Sequence, residues 1–239
     1  MILIKELEGM VSKVWRSNIF KRFITSLVLA PTLIYVILQG SFLFDLFLGI
    51  VCIISLYEII MIVKYNRYFS LFYSIVWILA TSLYIGGSLI SLKYIRSYDQ
   101  GYMIIMLFLS IWTFDSSAYF IGSLIGGPKL LKKISPKKTW SGFIAGTLCT
   151  VFMSIFTMVL LLHHPLISLN TMRVGILFGG IGIIGQIGDL IESYFKRSFH
   201  VKNSGFILPG HGGVLDRLDS MFLSSIILYI LLTFKVLSI

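Results

Sequence analysis

Asp189, Ser193 and Lys196 stand at i, i+4 and i+7. If the segment is helical, a carboxylate, a hydroxyl and an ammonium share one face there, with Glu192 and Arg197 on its flanks. A glycine- and proline-rich break follows, Gly205 to Gly213, reading GFILPGHGG. Successive glycines let backbone N–H groups turn toward an anion, a geometry that cradles phosphate. Beyond the break, Asp216-Arg217-Leu218-Asp219 begins the last helix and sets two carboxylates at i, i+3, spaced to share a cation. Hard oxygen ligands suit magnesium, which keeps waters and bridges to substrate phosphates. Lys196, Arg197, Lys202, His211 and Arg217 are close in sequence, so the stretch mixes carboxylates for a metal with cations for phosphate. A salt-bridged helix end would carry the same charges but would not require a glycine-rich anion site beside them.

Two further places concentrate polar chemistry. Asp115 opens Asp115-Ser116-Ser117-Ala118-Tyr119, a small-residue helix face that packs closely while lining a polar cleft. The segment from Lys129 to Trp140, KLLKKISPKKTW, carries five lysines in ten residues, which in isolation reads as a topology-setting loop attracted to anionic head groups. Glu58 lies deep in an apolar run and reads as a structural group hydrogen-bonded to a neighbouring helix. Asp45, near a run's edge, needs no special role.

These residues must be positioned by membrane helices. Of 239 residues, 57% are hydrophobic and 13% charged, and the mean hydropathy of +0.93 argues against a soluble single-domain enzyme. Disorder is excluded by the same apolar content. Seven runs are long enough to be read as spans, approximately Phe23 to Leu38, Phe42 to Val63, Phe69 to Leu92, Gly101 to Ile125, Gly142 to Leu162, Met172 to Leu190 and Leu218 to Leu237. Counting connections alternately puts sixteen of the 20 basic residues on one side, leaving only Lys93, Arg96, Arg173 and Lys235 on the other. The positive-inside rule then predicts an all-α polytopic bundle of about seven transmembrane helices, N-in and C-out.

The first run lacks a small-x-small cleavage site and follows 22 residues of basic, amphipathic sequence, so it reads as a span rather than a signal peptide. Ile2 to Phe20 suits either an interfacial helix or a merely topogenic leader. Cys52 and Cys149 are far apart inside apolar runs and form no disulfide framework or zinc set. Gly175, Gly179, Gly180, Gly182, Gly185 and Gly188 read as a close-packing helix surface. The expected organisation is an amino-terminal interfacial segment with transmembrane helices over residues 1–100, then a catalytic transmembrane domain over 101–239 with cytoplasmic active-site loops.

Ser193, Lys196-Arg197, Lys202, Gly205, Pro209, His211-Gly212-Gly213 and Asp216-Arg217-Leu218-Asp219 together resemble the carboxy-terminal signature of the phosphatidate cytidylyltransferases, also called CDP-diacylglycerol synthases. Asp115 to Tyr119, Ser135-Pro136-Lys137-Lys138-Thr139-Trp140 with Gly142, and Gly188-Asp189-Leu190 resemble the same family, so the likeness runs from about Asp115 to Asp219. Asn203 departs from the pattern, standing where the signature usually has an acid; its amide offers a carbonyl oxygen but no charge.

The resemblance implies an integral enzyme of the bacterial-type cytoplasmic (inner) membrane, with its active site facing the cytoplasm. It would take CTP and phosphatidate, release pyrophosphate and form CDP-diacylglycerol for phospholipid synthesis. Asp189, Asp216 and Asp219 would hold magnesium, with room for a second cation. Ser193, Lys196, Arg197, Lys202, His211 and Arg217 would be catalytic, and Asp115, Ser135, Lys137, Lys138, Thr139, Gly212 and Gly213 would bind substrate. Membrane lipid and a homodimer are the further partners implied, and no nucleic acid is expected. The alternatives are a CTP-dependent polyprenol kinase-like enzyme, which would release CDP and not pyrophosphate, and an ion-coupled transporter using Asp115 and Asp189.

Overall fold

The computed structural model describes residues 28–65, 70–131, 135–160, 170–205, 207 and 212–234. Among them the chain forms helices α1 (Val28–Gln39), α2 (Ser41–Tyr65), α3 (Leu71–Asp99), α4 (Tyr102–Ile125), α5 (Trp140–Leu160), α6 (Thr171–Ser198) and α7 (Leu215–Thr233). Strands β1 (Lys129–Leu131) and β2 (Ser135–Thr139) stand between α4 and α5.

Among the described residues five helices are long and apolar enough to cross a membrane: α2 over Phe42–Lys64, then α3, α4, α5 and α6 in full. They correspond to the second through sixth expected spans. The first and last expected spans become the 12-residue α1 and the 19-residue α7, neither of which meets that standard. In α7 the reason is chemical, because Asp216, Arg217 and Asp219 occupy its opening turns. The beginning of the first expected run, the end of the last and the Ile2 to Phe20 leader lie outside the described residues.

The all-α expectation holds, with one small addition. The lysine-rich segment is not a plain loop: β1 and β2 pair antiparallel, Lys129 opposite Thr139 and Leu131 opposite Ser135, with a register shift between the pairs. Gly126 and Gly127 lead into it with φ of +69° and +104°, left-handed turns that glycine adopts without strain. The Trp140 N–H bonds to the Pro128 carbonyl and closes the hairpin base at 3.0 Å.

Helix ends are set locally where the sequence supplies caps. Ser70 accepts from the Tyr73 N–H to start α3, and Asn170 accepts from the N–H groups of Met172 and Arg173 to start α6. Thr139 Oγ1 accepts from the Gly142 N–H at 3.2 Å, tying the end of β2 to the first turn of α5.

Packing runs α2 on α3, α3 on α7, α7 on α6, α6 on α5 and α5 on α4. The α6 glycine surface is structural, as expected. A Cβ at Gly179 would collide with Val151 of α5, one at Gly182 would press on Phe114 of α4, and one at Gly188 would come within 2.8 Å of the Asp219 carbonyl of α7. Buried hydroxyls tie the helices where apolar driving force is weak in lipid. Ser88 and Ser225 join α3 to α7 at 2.8 Å, and Ser224 reaches the Ile181 carbonyl of α6. Trp77 of α3 packs its ring against Phe195 and Phe199 at 5.2 and 6.0 Å, which anchors the polar end of α6.

Candidate functional site

The α6 helix continues without interruption to Ser198, so Asp189, Ser193 and Lys196 share a helix as their spacing predicts. Each acid or base on that face has a partner from another element. Lys138, delivered by β2, forms an ion pair with Asp189, and the Ser193 hydroxyl donates to the other Asp189 oxygen at 3.3 Å. Asp115 of α4 acts electrostatically on the same Lys138 and Asp189, so three segments far apart in sequence meet here.

One turn further along α6, the Lys196 ammonium donates to Asp216 Oδ1 at 2.6 Å and lies 3.4 Å from Glu192 Oε1. The pair is well shielded, with the Lys196 side chain only 9% exposed. Asp216 Oδ2 accepts from the N–H groups of Ser204 and Gly213 at 2.9 and 3.2 Å. Burial pushes the Asp216 carboxyl up, but Lys196 and these two backbone donors outweigh it and hold the group below the usual carboxylate range. Asp219, one turn on, accepts from the Ser220 N–H at 2.6 Å and feels the charges of Glu192 and Asp189.

Glu58 belongs to this constellation although sequence reasoning gave it only a structural role. It reaches from α2 and is 1% exposed. Its Oε1 accepts from the Val214 N–H at 2.9 Å, and its Oε2 accepts from the Leu215 N–H and the Ser204 hydroxyl, each at 2.9 Å. The carboxylate therefore caps α7, whose own preceding residue Val214 offers no side-chain cap. An acid buried in an apolar run was the available signal, but nothing in local spacing links residue 58 to residues 204–215.

The glycine-rich break acquires a different meaning as a result. A Cβ on Gly205 would stand 2.7 Å from a Glu58 oxygen, and one on Gly213 would collide with the Ser204 hydroxyl and with both Glu58 oxygens. Gly212, at φ +87°, adjoins Asp216. The N–H groups of Ser204, Gly213, Val214 and Leu215, at the two ends of the break, meet carboxylates of the chain itself.

The remaining expected site residues are arranged as follows. Lys137, Arg197, Lys202 and Arg217 are exposed, and Ser135 is half-buried. Arg197 donates to the Val201 carbonyl at 3.2 Å. Thr139 is buried and serves as the α5 cap. Asn203 is exposed beside Lys202. His211 and Pro209 lie outside the described residues. Among the described residues no three His, Cys, Asp or Glu side chains converge as a ready metal cage. Asp189 and Asp216 are instead paired with lysines. Both Glu192 carboxylate oxygens, however, are buried without a hydrogen-bond partner, leaving the ammonium of Lys196 as the near countercharge. Four carboxyl groups, Asp189, Glu192, Asp216 and Asp219, thus adjoin two ammonium groups, Lys138 and Lys196, an oxygen-rich donor set whose chemistry fits a divalent cation.

Residues 69–235 match the profile described as the Cytidylyltransferase family. A Rickettsia conorii protein named phosphatidate cytidylyltransferase is 34% identical over 239 residues, covering 97% of this chain and 98% of the relative. A Rickettsia bellii protein of the same name is 34% identical over 234 residues, covering 96% and 97%. A Brucella melitensis protein of that name is 42% identical over 156 residues, covering 64% of this chain and 56% of its own length.

Proposed function

The chain belongs to the cytidylyltransferase family, and from that premise we infer that it transfers the cytidylyl group of CTP to phosphatidate in phospholipid biosynthesis. The observation that carries this reading is the family match over residues 69–235, which takes in both the Lys138–Asp189 and the Lys196–Asp216 pairs. A phosphate oxygen of phosphatidate attacks the α-phosphorus of CTP. The bond from that phosphorus to the bridging oxygen breaks, pyrophosphate departs with the electron pair, and CDP-diacylglycerol remains. The nucleophile is already anionic near neutral pH, so the protein's work is positioning and charge stabilisation rather than strong general-base catalysis.

The buried Lys196 and the half-buried Lys138 are the paired cations available to phosphate oxygens, with Lys137, Arg197, Lys202 and Arg217 on the same segments. Ser193 orients Asp189, and Gly213 with Ser204 orients Asp216. We assign magnesium to the carboxylates Asp189, Asp216 and Asp219, with Glu192 as a fourth oxygen donor. Bound there, magnesium would neutralise phosphate charge and assist the leaving group. The support is the excess of buried carboxylate over ammonium and the unpartnered Glu192 oxygens.

The five apolar helices make the chain an integral membrane protein by length and composition. We further propose that α1 and α7 complete seven crossings, N-in and C-out, in the cytoplasmic membrane. The basic-residue asymmetry supports that orientation and turns the lysine-rich hairpin and the 196–217 segment toward cytoplasmic CTP.

The test is conversion of radiolabelled CTP by detergent-purified protein with phosphatidate, with and without magnesium, beside an Asp219→Asn variant. Magnesium-dependent CDP-diacylglycerol and pyrophosphate, lost in the variant, are the expected products. Release of CDP with a phosphorylated lipid alcohol would overturn the transfer reading in favour of a kinase. Full turnover without divalent cation would overturn the metal assignment.

A further inference from the structure

We propose that Glu58 is a positioning residue for the cytidylyl-transfer site, a buried clamp supplied by α2 that holds Ser204 against Val214 and Leu215 and thereby fixes the orientation of Asp216. The proposal rests on the transfer reaction inferred above and assigns a role to a residue ahead of the family-matched segment 69–235.

Three observations carry it. First, among the described residues the hydrogen bonds of Glu58 are made to the ends of this connection and not to its own surroundings in α2: the Ser204 hydroxyl, the Val214 N–H and the Leu215 N–H, all at 2.9 Å. All three are donors, which is the pattern that an acceptor-only carboxylate satisfies. Second, the same Ser204 and the adjoining Gly213 hold Asp216 through their backbone N–H groups. The Ser204 hydroxyl also accepts from the Asp216 N–H at 3.4 Å. A single residue thus binds Glu58 with its side chain and Asp216 with its main chain, so displacement of one carboxylate is transmitted to the other. Third, the chain leaves room for this clamp alone, since a Cβ at either Gly205 or Gly213 would lie within 2.7 Å of Glu58 oxygens.

Glu58 does not face the Lys196 ammonium or any other charged group with which it forms a described ion pair. Its effect on the reaction therefore runs through geometry. Asp216 is oriented on one side by Lys196 and on the other by the clamped backbone. Loosening the second side leaves the binding cations in place but lets the carboxylate wander from its productive position. Small misplacements of this kind depress turnover more than binding.

Glu58→Gln keeps the reach and volume of the side chain while turning one acceptor oxygen into an NH2 group that opposes a backbone N–H. The experiment measures kcat and KM for CTP and phosphatidate alongside amide hydrogen exchange across residues 204–215, in wild type, Glu58→Gln, Ser204→Ala and the double variant. Expected for Glu58→Gln are a kcat lower by about 10- to 100-fold, KM values within about threefold of wild type, and faster exchange confined to that connection. Ser204→Ala should reproduce part of each effect, and the double variant should fall short of the sum because both changes act on one linkage. Unaltered exchange at residues 204–215 in Glu58→Gln overturns the clamp whatever the enzyme does. Faster exchange with unaltered kcat overturns its role in the reaction. Faster exchange in a protein whose wild type makes no CDP-diacylglycerol would leave the clamp standing and fail the transfer reading. Should Glu58→Gln not fold, Ser204→Ala decides on the same two readouts.

Discussion

Replacing Lys196 with methionine tests the central electrostatic argument of the site. The substitution keeps an unbranched chain of similar length and removes the ammonium that sits 2.6 Å from Asp216 and 3.4 Å from Glu192. The Lys196 and Asp216 side chains are 9% and 12% exposed, so water screens the pair weakly. Breaking a buried pair by deleting one partner costs about 3–5 kcal/mol, most of it the penalty of the charge left behind. The lower end applies here for Asp216, because Oδ2 keeps the N–H groups of Ser204 and Gly213. Glu192 has no such reserve, since no backbone N–H among the described residues donates to either of its oxygens.

The assay is equilibrium unfolding in mixed detergent, followed by circular dichroism, for wild type, Lys196→Met, Asp216→Asn and the double variant. Neutralising Asp216 as well should recover part of the loss, with a coupling of roughly 1–3 kcal/mol between the two positions. Additivity within about 0.5 kcal/mol would refute the pairing as an energetic fact. CTP turnover by Lys196→Met should also fall, because on the proposed mechanism the ammonium both balances Asp216 and would meet phosphate.

Other expectations follow from single contacts. Gly213→Ala places a methyl against the Ser204 hydroxyl and both Glu58 oxygens, and should cost about 1–3 kcal/mol of unfolding free energy by overpacking. Gly180→Ala, with nothing within 4 Å of the new Cβ, should be neutral or stabilise by up to about 1 kcal/mol in the same titration. Lys138→Met removes the partner of Asp189 across a partly shielded pair and should cost about 1–3 kcal/mol, whereas Lys93→Met, from the largely exposed pair with Asp45, should cost no more than about 1 kcal/mol. Because Asp216 titrates lower when folded than its unfolded value of about 3.9, the stability it contributes is present above that value and lost as pH falls through the folded one. Unfolding midpoints measured from neutral pH downward should therefore drop less steeply in Asp216→Asn than in wild type.

The legible parts of this molecule were those written in local periodicity. Five spans could be read from hydropathy because lipid demands unbroken apolar helices, and the i, i+4, i+7 spacing on α6 correctly anticipated which of its groups share a face. The glycines of α6 announced close packing for the same reason. What escaped was non-local pairing. The hairpin from Lys129 to Thr139 was hidden because its lysines outweigh its weak strand pattern. Nothing near Val214 in sequence shows that its N–H finds an acceptor in α2 rather than in a local cap. The three expected metal ligands fall on α6 and α7, but sequence could not show that lysines from β2 and α6 stand against two of them, nor that Glu192 lies among them.

That non-local pairing changes how phosphate recognition must be argued. A glycine-rich break read alone offers backbone N–H groups to a substrate anion. In this fold the N–H groups of Ser204, Gly213, Val214 and Leu215 are held by Asp216 and Glu58. These four are spent on orienting the chain's own carboxylates, so among the described residues the groups left for the phosphates of the proposed nucleotide substrate are side chains. Lys138 and Lys196 stand at the two carboxylate pairs, and Lys137, Arg197, Lys202 and Arg217 are exposed on the same segments. On the proposed mechanism each of these two lysines would be shared between a carboxylate already present and a phosphate yet to arrive. That competition would tie nucleotide binding to the freeing of carboxylate oxygens, the groups a divalent cation requires.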